Sequence, residues 1–163
     1  MRGFLVPACV LSFLGGCGTF APEPLDRAAF LARAVTGGDE GLVVTVAALT
    51  QGESRRYLGV DVGGEGIQPV WLRIDNKTAT PVWFLPAGTD PNYFAPYEVA
   101  YKFHRILAPD RNARIDEHFL QSAFPNPIPA GESRAGFVFT HTSEGAKFVA
   151  VEIASGARAR HLR

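Results

Sequence analysis

Asp116, His118, His104 and His141 are the residue types from which a metal centre or an acid–base pair is built. Asp116 and His118 stand two positions apart, and on a helix that spacing sends the two side chains to different sides. Asp75 and Glu98 are carboxylates of the kind acid–base chemistry employs, yet nothing in the sequence brings them together, and solvated carboxylates are the common case. The chain has no Gly-x-Ser-x-Gly elbow and no Gly-x-x-x-x-Gly-Lys phosphate loop, while Gly63-Gly64-Glu65-Gly66 reads as a turn. The residues therefore predict no catalytic group, no bound metal and no cofactor. A small metal-dependent hydrolase is the least favoured alternative; it requires His104, His118 or His141 to converge with carboxylates in a concave pocket.

One side chain does have its chemistry set up by its neighbours. Arg2 gives a short positive start, and Phe4 to Leu14 form an apolar run of eleven residues, the length of a secretory h-region and too short for a membrane span. The run ends in Leu14-Gly15-Gly16-Cys17, which resembles the bacterial lipobox: an aliphatic residue, two small residues, then a cysteine that is acylated and becomes the new N-terminus. A buried N-terminal helix is the alternative, but Pro7, Gly15 and Gly16 all weaken one. The expected boundaries are a helical signal peptide over 1–16, a lipid-anchored Pro-containing linker over 17–29, a folded domain over 30–154 and a disordered basic tail over 155–163. Two or three acyl chains contribute about 0.8 kcal/mol per buried methylene, so the expected partner is the membrane, held through Cys17. The resemblance implies the bacterial cell envelope, facing the periplasm. Gly18 is not the aspartate that retains enteric lipoproteins in the inner membrane, which favours the outer one.

Composition agrees with a single exported domain. Sixteen basic residues balance sixteen acidic ones, so a nucleic-acid partner is not expected. Both cysteines, Cys9 and Cys17, fall in or at the end of the leader, leaving no pair for a disulfide in the domain.

Aromatic residues crowd one fifth of the chain, from Trp71 to Phe103. Those with polar handles, Trp71, Trp83, Tyr93, Tyr97 and Tyr101, form a possible binding surface for another envelope protein or polymer, with core packing as the ordinary alternative. Asn76-Lys77-Thr78 has the form of a glycosylation acceptor but is better explained as a turn at a strand end.

The elements that must position these groups are mostly strands. Val70, Leu72 and Ile74 alternate with Trp71, Arg73 and Asp75 in a half-buried strand, and Pro81 to Pro86 reads as a second strand paired with it. Leu42 to Leu49 is rich in β-branched residues and predicts a hairpin with 30–36, although 25–36 also has the pattern of a helix after Pro24. Pro96 opens a helical turn, and Asn112 caps a short helix in which Ile115, Phe119 and Ala123 share a face. Residues 136–140 and 147–153 look like a closing hairpin. The sum is a mainly β fold, an antiparallel immunoglobulin-like sandwich with one or two short helices.

Residues 66–76 (Gly-Ile-Gln-Pro-Val-Trp-Leu-Arg-Ile-Asp-Asn), 90–101, 112–119 and 126–131 resemble the N-terminal region of bacterial LssY C-terminal-domain envelope proteins, over roughly 31–153. The resemblance implies a domain and no reaction. Similar proteins continue beyond Ile153, so an arginine-rich end such as 155–163 is expected to be a truncated or frameshifted graft. The functional expectation is a lipid-anchored envelope binding or structural module without catalysis; the rival is a truncated accessory domain of a larger envelope enzyme or transport protein.

Overall fold

A computed structural model describes residues 19–39, 41–142, 151–156 and, for backbone only, 158–162. The expected signal peptide over 1–16, Cys17 and the segment 143–150 lie outside the described residues.

Five α-helices and seven strands are present among the described residues. They run α1 (Arg27–Leu31), β1 (Val35–Asp39), β2 (Leu42–Ala48), α2 (Gln51–Leu58), a 3-10 turn (Val62–Glu65), β3 (Ile67–Asn76), β4 (Trp83–Leu85), α3 (Pro86–Thr89), α4 (Pro96–Tyr101), α5 (Pro109–Ser122), β5 (Ser133–His141), β6 (Val151–Ser155) and β7 (Arg158–Leu162). Helix and strand occupy nearly equal shares, about 32% and 33%, so the expected mainly β fold with one or two helices gives way to a mixed one.

The architecture follows from β3, which is apolar on both faces. Its Val70, Leu72 and Ile74 join Leu42 and Val44 of β2 and Val138 of β5 against Val82, Phe84, Ile128, Val151 and Ile153. Its Ile67 and Trp71 point the other way, with Ala47, Phe137 and Phe139, and are covered by Phe30 of α1, Tyr57 and Leu58 of α2, Val99 and Ala100 of α4, and Ile115 and Phe119 of α5. A four-stranded antiparallel sheet in the order β1-β2-β3-β5 thus carries a helical layer on one face and a three-stranded antiparallel sheet, β4-β6-β7, on the other. Each fully buried Phe, Leu or Ile in these two cores stabilises the fold by roughly 1.5–3 kcal/mol.

Several pairings differ from expectation. The chain at 25–36 satisfies both readings in turn, as α1 and then β1, and the hairpin partner of β2 is 35–39. β4 does not pair with β3. Asn76 ends β3 by accepting from the Thr78 N–H and hydroxyl, the turn expected there, and its amide donates to the carbonyls of Thr80, Ile128 and Pro129. The chain thereby crosses to the other layer, where β4 joins β6. β5 and β6 are likewise in different sheets and form no hairpin; the first half of the expected second strand, 147–150, lies outside the described residues. The tail expected to be disordered contributes β7, paired in register with β6 from Val151↔Leu162 to Ser155↔Arg158.

Local chemistry sets the helix ends. Thr50 and Glu53 form a reciprocal capping box at α2, and Gly59 closes that helix at φ +68°. Pro96 and Pro109 stand at the first turns of α4 and α5. Pro109, rather than Asn112, therefore begins α5. Asn112 instead grips both backbone groups of Arg105 at 2.9 Å, fixing the loop between the two helices.

Candidate functional site

The stretch expected to be a linker is largely part of the domain. Phe20 is 4% exposed, its ring edge-on to His118 at 5.6 Å, and its carbonyl accepts a hydrogen bond from the Arg114 guanidinium of α5 at 2.8 Å. Glu23 donates its N–H to the Arg56 carbonyl and its carboxylate pairs with the Arg56 side chain. Asp26 caps α1 through Ala28, and its carbonyl accepts from the Tyr57 hydroxyl. Of the expected linker over 17–29, only 17–19 precede this seating. Phe20 follows Cys17 by three positions, and three peptide units reach at most about 11 Å.

The histidines are dispersed. His104 Nε2 lies 2.8 Å from the Asp116 carboxylate, linking the end of α4 to α5. His118 Nε2 donates to the Tyr57 carbonyl at 2.8 Å, since a carbonyl can only accept. His141 meets Asp90 through its backbone N–H at 2.8 Å and Nδ1 at 3.2 Å. Asp116 and His118 diverge as their spacing requires, and no group of three or more His, Cys, Asp or Glu side chains suited to a metal occurs among the described residues.

The carboxylates are also held locally. Burial pushes Asp75 up, but hydrogen bonds from Arg73 and Ser133 outweigh it and leave its pKa below the usual value. Asp90 behaves alike: burial raises it, and the N–H groups of His141 and Asn92 with the His141 ring bring it below the ordinary range. Glu98 folds back toward the Ala95 N–H at the start of α4. Neither Asp75 nor Glu98 bonds the other, so they form no acid–base pair.

The expected aromatic surface divides. Trp71 is 2% exposed and stacks obliquely on Phe30 at 5.3 Å, so it belongs to the helix-side core and not to a surface. Trp83 lies on β4, opposite Ala154 in the second sheet. Tyr93 lines a small apolar cavity of about 80 Å³ with Phe84, Phe94 and Phe124. Tyr97 and Tyr101, one turn apart on α4, are both exposed and both face the His104 ring. Only these last two are brought together.

Two features carried no readable signal. One is a cavity of about 350 Å³ between residues 23–27, α5 and the start of β5, lined by Arg27, Trp71, His118, Gln121 and Ser122 among others. Arg27 has no ion pair among the described residues, so the cavity can offer its cation to an acceptor-rich small group. The other is the tip of the α4–α5 loop, where Ile106 is 100% and Leu107 94% exposed. Beside it, burial and the neighbouring Arg105 charge press the Arg111 guanidinium below its usual pKa.

No helix among the described residues is long and apolar enough to cross a membrane. Comparison with protein-family models, with curated proteins and with solved structures finds no match for the chain.

Proposed function

We propose that this protein is a lipid-anchored module of the bacterial cell envelope that binds or organises other components and turns over no substrate. The observation that carries the reading is the position of Cys17, the last residue of Leu14-Gly15-Gly16-Cys17, three positions before a phenylalanine seated in the core. A cleavage there removes the whole apolar leader and leaves the folded domain on a tether of minimal length. A leader inserted for export and an anchor of several acyl chains account for both sides of that junction.

The non-catalytic part of the reading is supported by how the chemistry-bearing groups are spent. His104, His118 and His141 each hold two elements together, Asp116 and Asp90 are engaged with His104 and His141, and Asp75 pairs with Arg73. An immunoglobulin-like sandwich as the frame is part of the same proposal; the packing of the two sheets through Val70, Leu72, Ile74 and Phe84, with the helical layer outside, supports it. Kinship with the N-terminal region of LssY C-terminal-domain proteins is part of the same proposal and adds no reaction to it.

Intact-mass measurement of membrane-extracted protein tests the anchor. The expected species begins at Cys17 and carries the added mass of acyl chains, and Cys17→Ala abolishes that species. An unacylated protein, or a leader still attached to wild type, overturns the reading.

A further inference from the structure

The α4–α5 loop is an exposed apolar point that the fold holds rigid. Ile106 and Leu107 have no cover, while the residues on either side are fixed. Asn112 binds the N–H and carbonyl of Arg105, the Ala108 N–H returns to the Arg105 carbonyl at 3.2 Å, and Arg111 donates to the Phe103 carbonyl at 2.8 Å. Two adjacent aliphatics presented this way differ from the singly scattered apolar residues found on any surface. Tyr97 and Tyr101 stand exposed on α4, the helix that leads into this loop, with hydroxyls on apolar rings, the side chains favoured at a membrane interface.

We propose that this tip is a second membrane contact: Ile106 and Leu107 enter the bilayer that holds the Cys17 acyl chains, with Tyr97, Tyr101 and Lys102 at headgroup level. The proposal rests on the lipid-anchor reading, and tether length selects a bilayer over a protein partner. Cys17 lies within about 11 Å of Phe20, whose carbonyl is bonded to Arg114 on α5. Arg114 is five residues into that helix and the tip precedes it by two, so their backbones are at most about 15 Å apart. With the Arg114 side chain included, these bounds keep the tip within about 35 Å of Cys17, so the bilayer that holds the acyl chains is within reach of α5 and the loop at its N-terminus. Charge agrees: the chain from Pro96 to Asp116 carries Lys102, Arg105, Arg111 and Arg114 against Glu98, Asp110 and Asp116, and Asp116 is engaged with His104. The excess is positive, matching lipid phosphates.

Depth-dependent quenching tests this. In the mature acylated protein the Cys17 sulfur is blocked and Cys9 has left with the leader, so Leu107→Cys offers one free thiol for an environment-sensitive dye. Ala79→Cys is the control, exposed in the turn after β3 at the end of the sheet opposite the Phe94–Phe139 bridge that leads toward α4. Both are reconstituted in phosphatidylethanolamine–phosphatidylglycerol vesicles containing nitroxide-labelled lipid, after intact mass has established acylation and circular dichroism the fold. The expected result is quenching at position 107 about 3-fold or more above that at 79, with a blue-shifted emission. Equal quenching in acylated protein overturns the tip contact and leaves the anchor standing. Absence of acylation overturns the anchor and, with it, this proposal.

Discussion

Phe20 and the Ile106–Leu107 pair are comparable in hydrophobicity and opposite in fate. Phe20, flanked by Thr19 and Ala21 in a stretch with the composition of a spacer, is taken into the helix-side core. Ile106 and Leu107, between two helices that pack on each other, are left wholly in water. The difference shows that burial here is decided by what stands opposite and not by the residue. Gly59 and His118 form a seat for the Phe20 ring, whereas nothing among the described residues comes over the loop tip. Burying one region stabilises the domain, while the other adds nothing in solution and becomes useful only when another apolar phase is offered.

The sharpest test of that contrast removes the Phe20 ring. Phe20→Ala is expected to cost about 3–5 kcal/mol, measured by urea denaturation, because both the transfer energy and the contacts across the vacated space are lost. A loss below about 1 kcal/mol would mean that residues 19–24 behave as the spacer their composition predicts.

Gly59 tests the seat rather than the occupant. It sits at φ +68°, and a Cβ there would stand 2.7 Å from the Phe20 ring. Gly59→Ala is expected to destabilise by about 2 kcal/mol, combining left-handed backbone strain with displacement of the ring. The same substitution in a Phe20→Ala background should cost less, since the clash is gone. Equal costs in both backgrounds would uncouple the two positions.

What the sequence made legible divides along a similar line. Features set within a turn or two were readable: Pro96 opening α4, Ile115 and Phe119 on one face of α5, the alternation of β3, and the Asn76 turn. Features that depend on distant partners were not. Period-two alternation identifies one buried face of a strand, but β3 is covered on both, so Trp71, with its polar handle, read as an outward residue. The strand expected over 81–86 is found, shorter, at 83–85, but with a different partner, because β6 lies nearly seventy residues on and in another layer. Asn112 has the type of an N-cap, yet Pro109 already begins the helix and leaves its amide to hold Arg105. Of the proposed anchor, only the motif ending at Cys17 is legible in the sequence; the seat of Phe20, which under that proposal shortens the tether, is not, since Gly59, Arg114 and His118 are brought to Phe20 only by folding.

The segment leading toward the exposed tip has a fixing that responds to acid. Asp90 clamps the chain before α4 to the end of β5, and its pKa is depressed in the fold. A depressed carboxylate contributes stability that is fully present above its unfolded value, near pH 4, and is lost as pH falls through the lower folded value. Thermal unfolding between about pH 2 and 5 should therefore show a falling melting temperature that Asp90→Asn flattens, with the variant about 1 kcal/mol less stable at neutral pH. An unchanged acid slope would assign the loss to Asp75, Glu53 or Asp61, whose carboxyls are also held low.

The smallest expected effect bears most directly on the exposed member of the comparison. Replacing Ile106 and Leu107 together by serine should change folding stability in solution by no more than about 0.5 kcal/mol, because side chains already in water lose no burial when shortened. The loop's shape is held by Asn112, Arg111 and Pro109, none of which the change touches. A loss of several kcal/mol would show that the pair packs against the domain in solution, and the tip would no longer be available to a bilayer. A near-zero change in solution, coupled with weaker quenching of a dye at a neighbouring tip position in vesicles, separates a residue kept for the fold from one kept for what lies outside it.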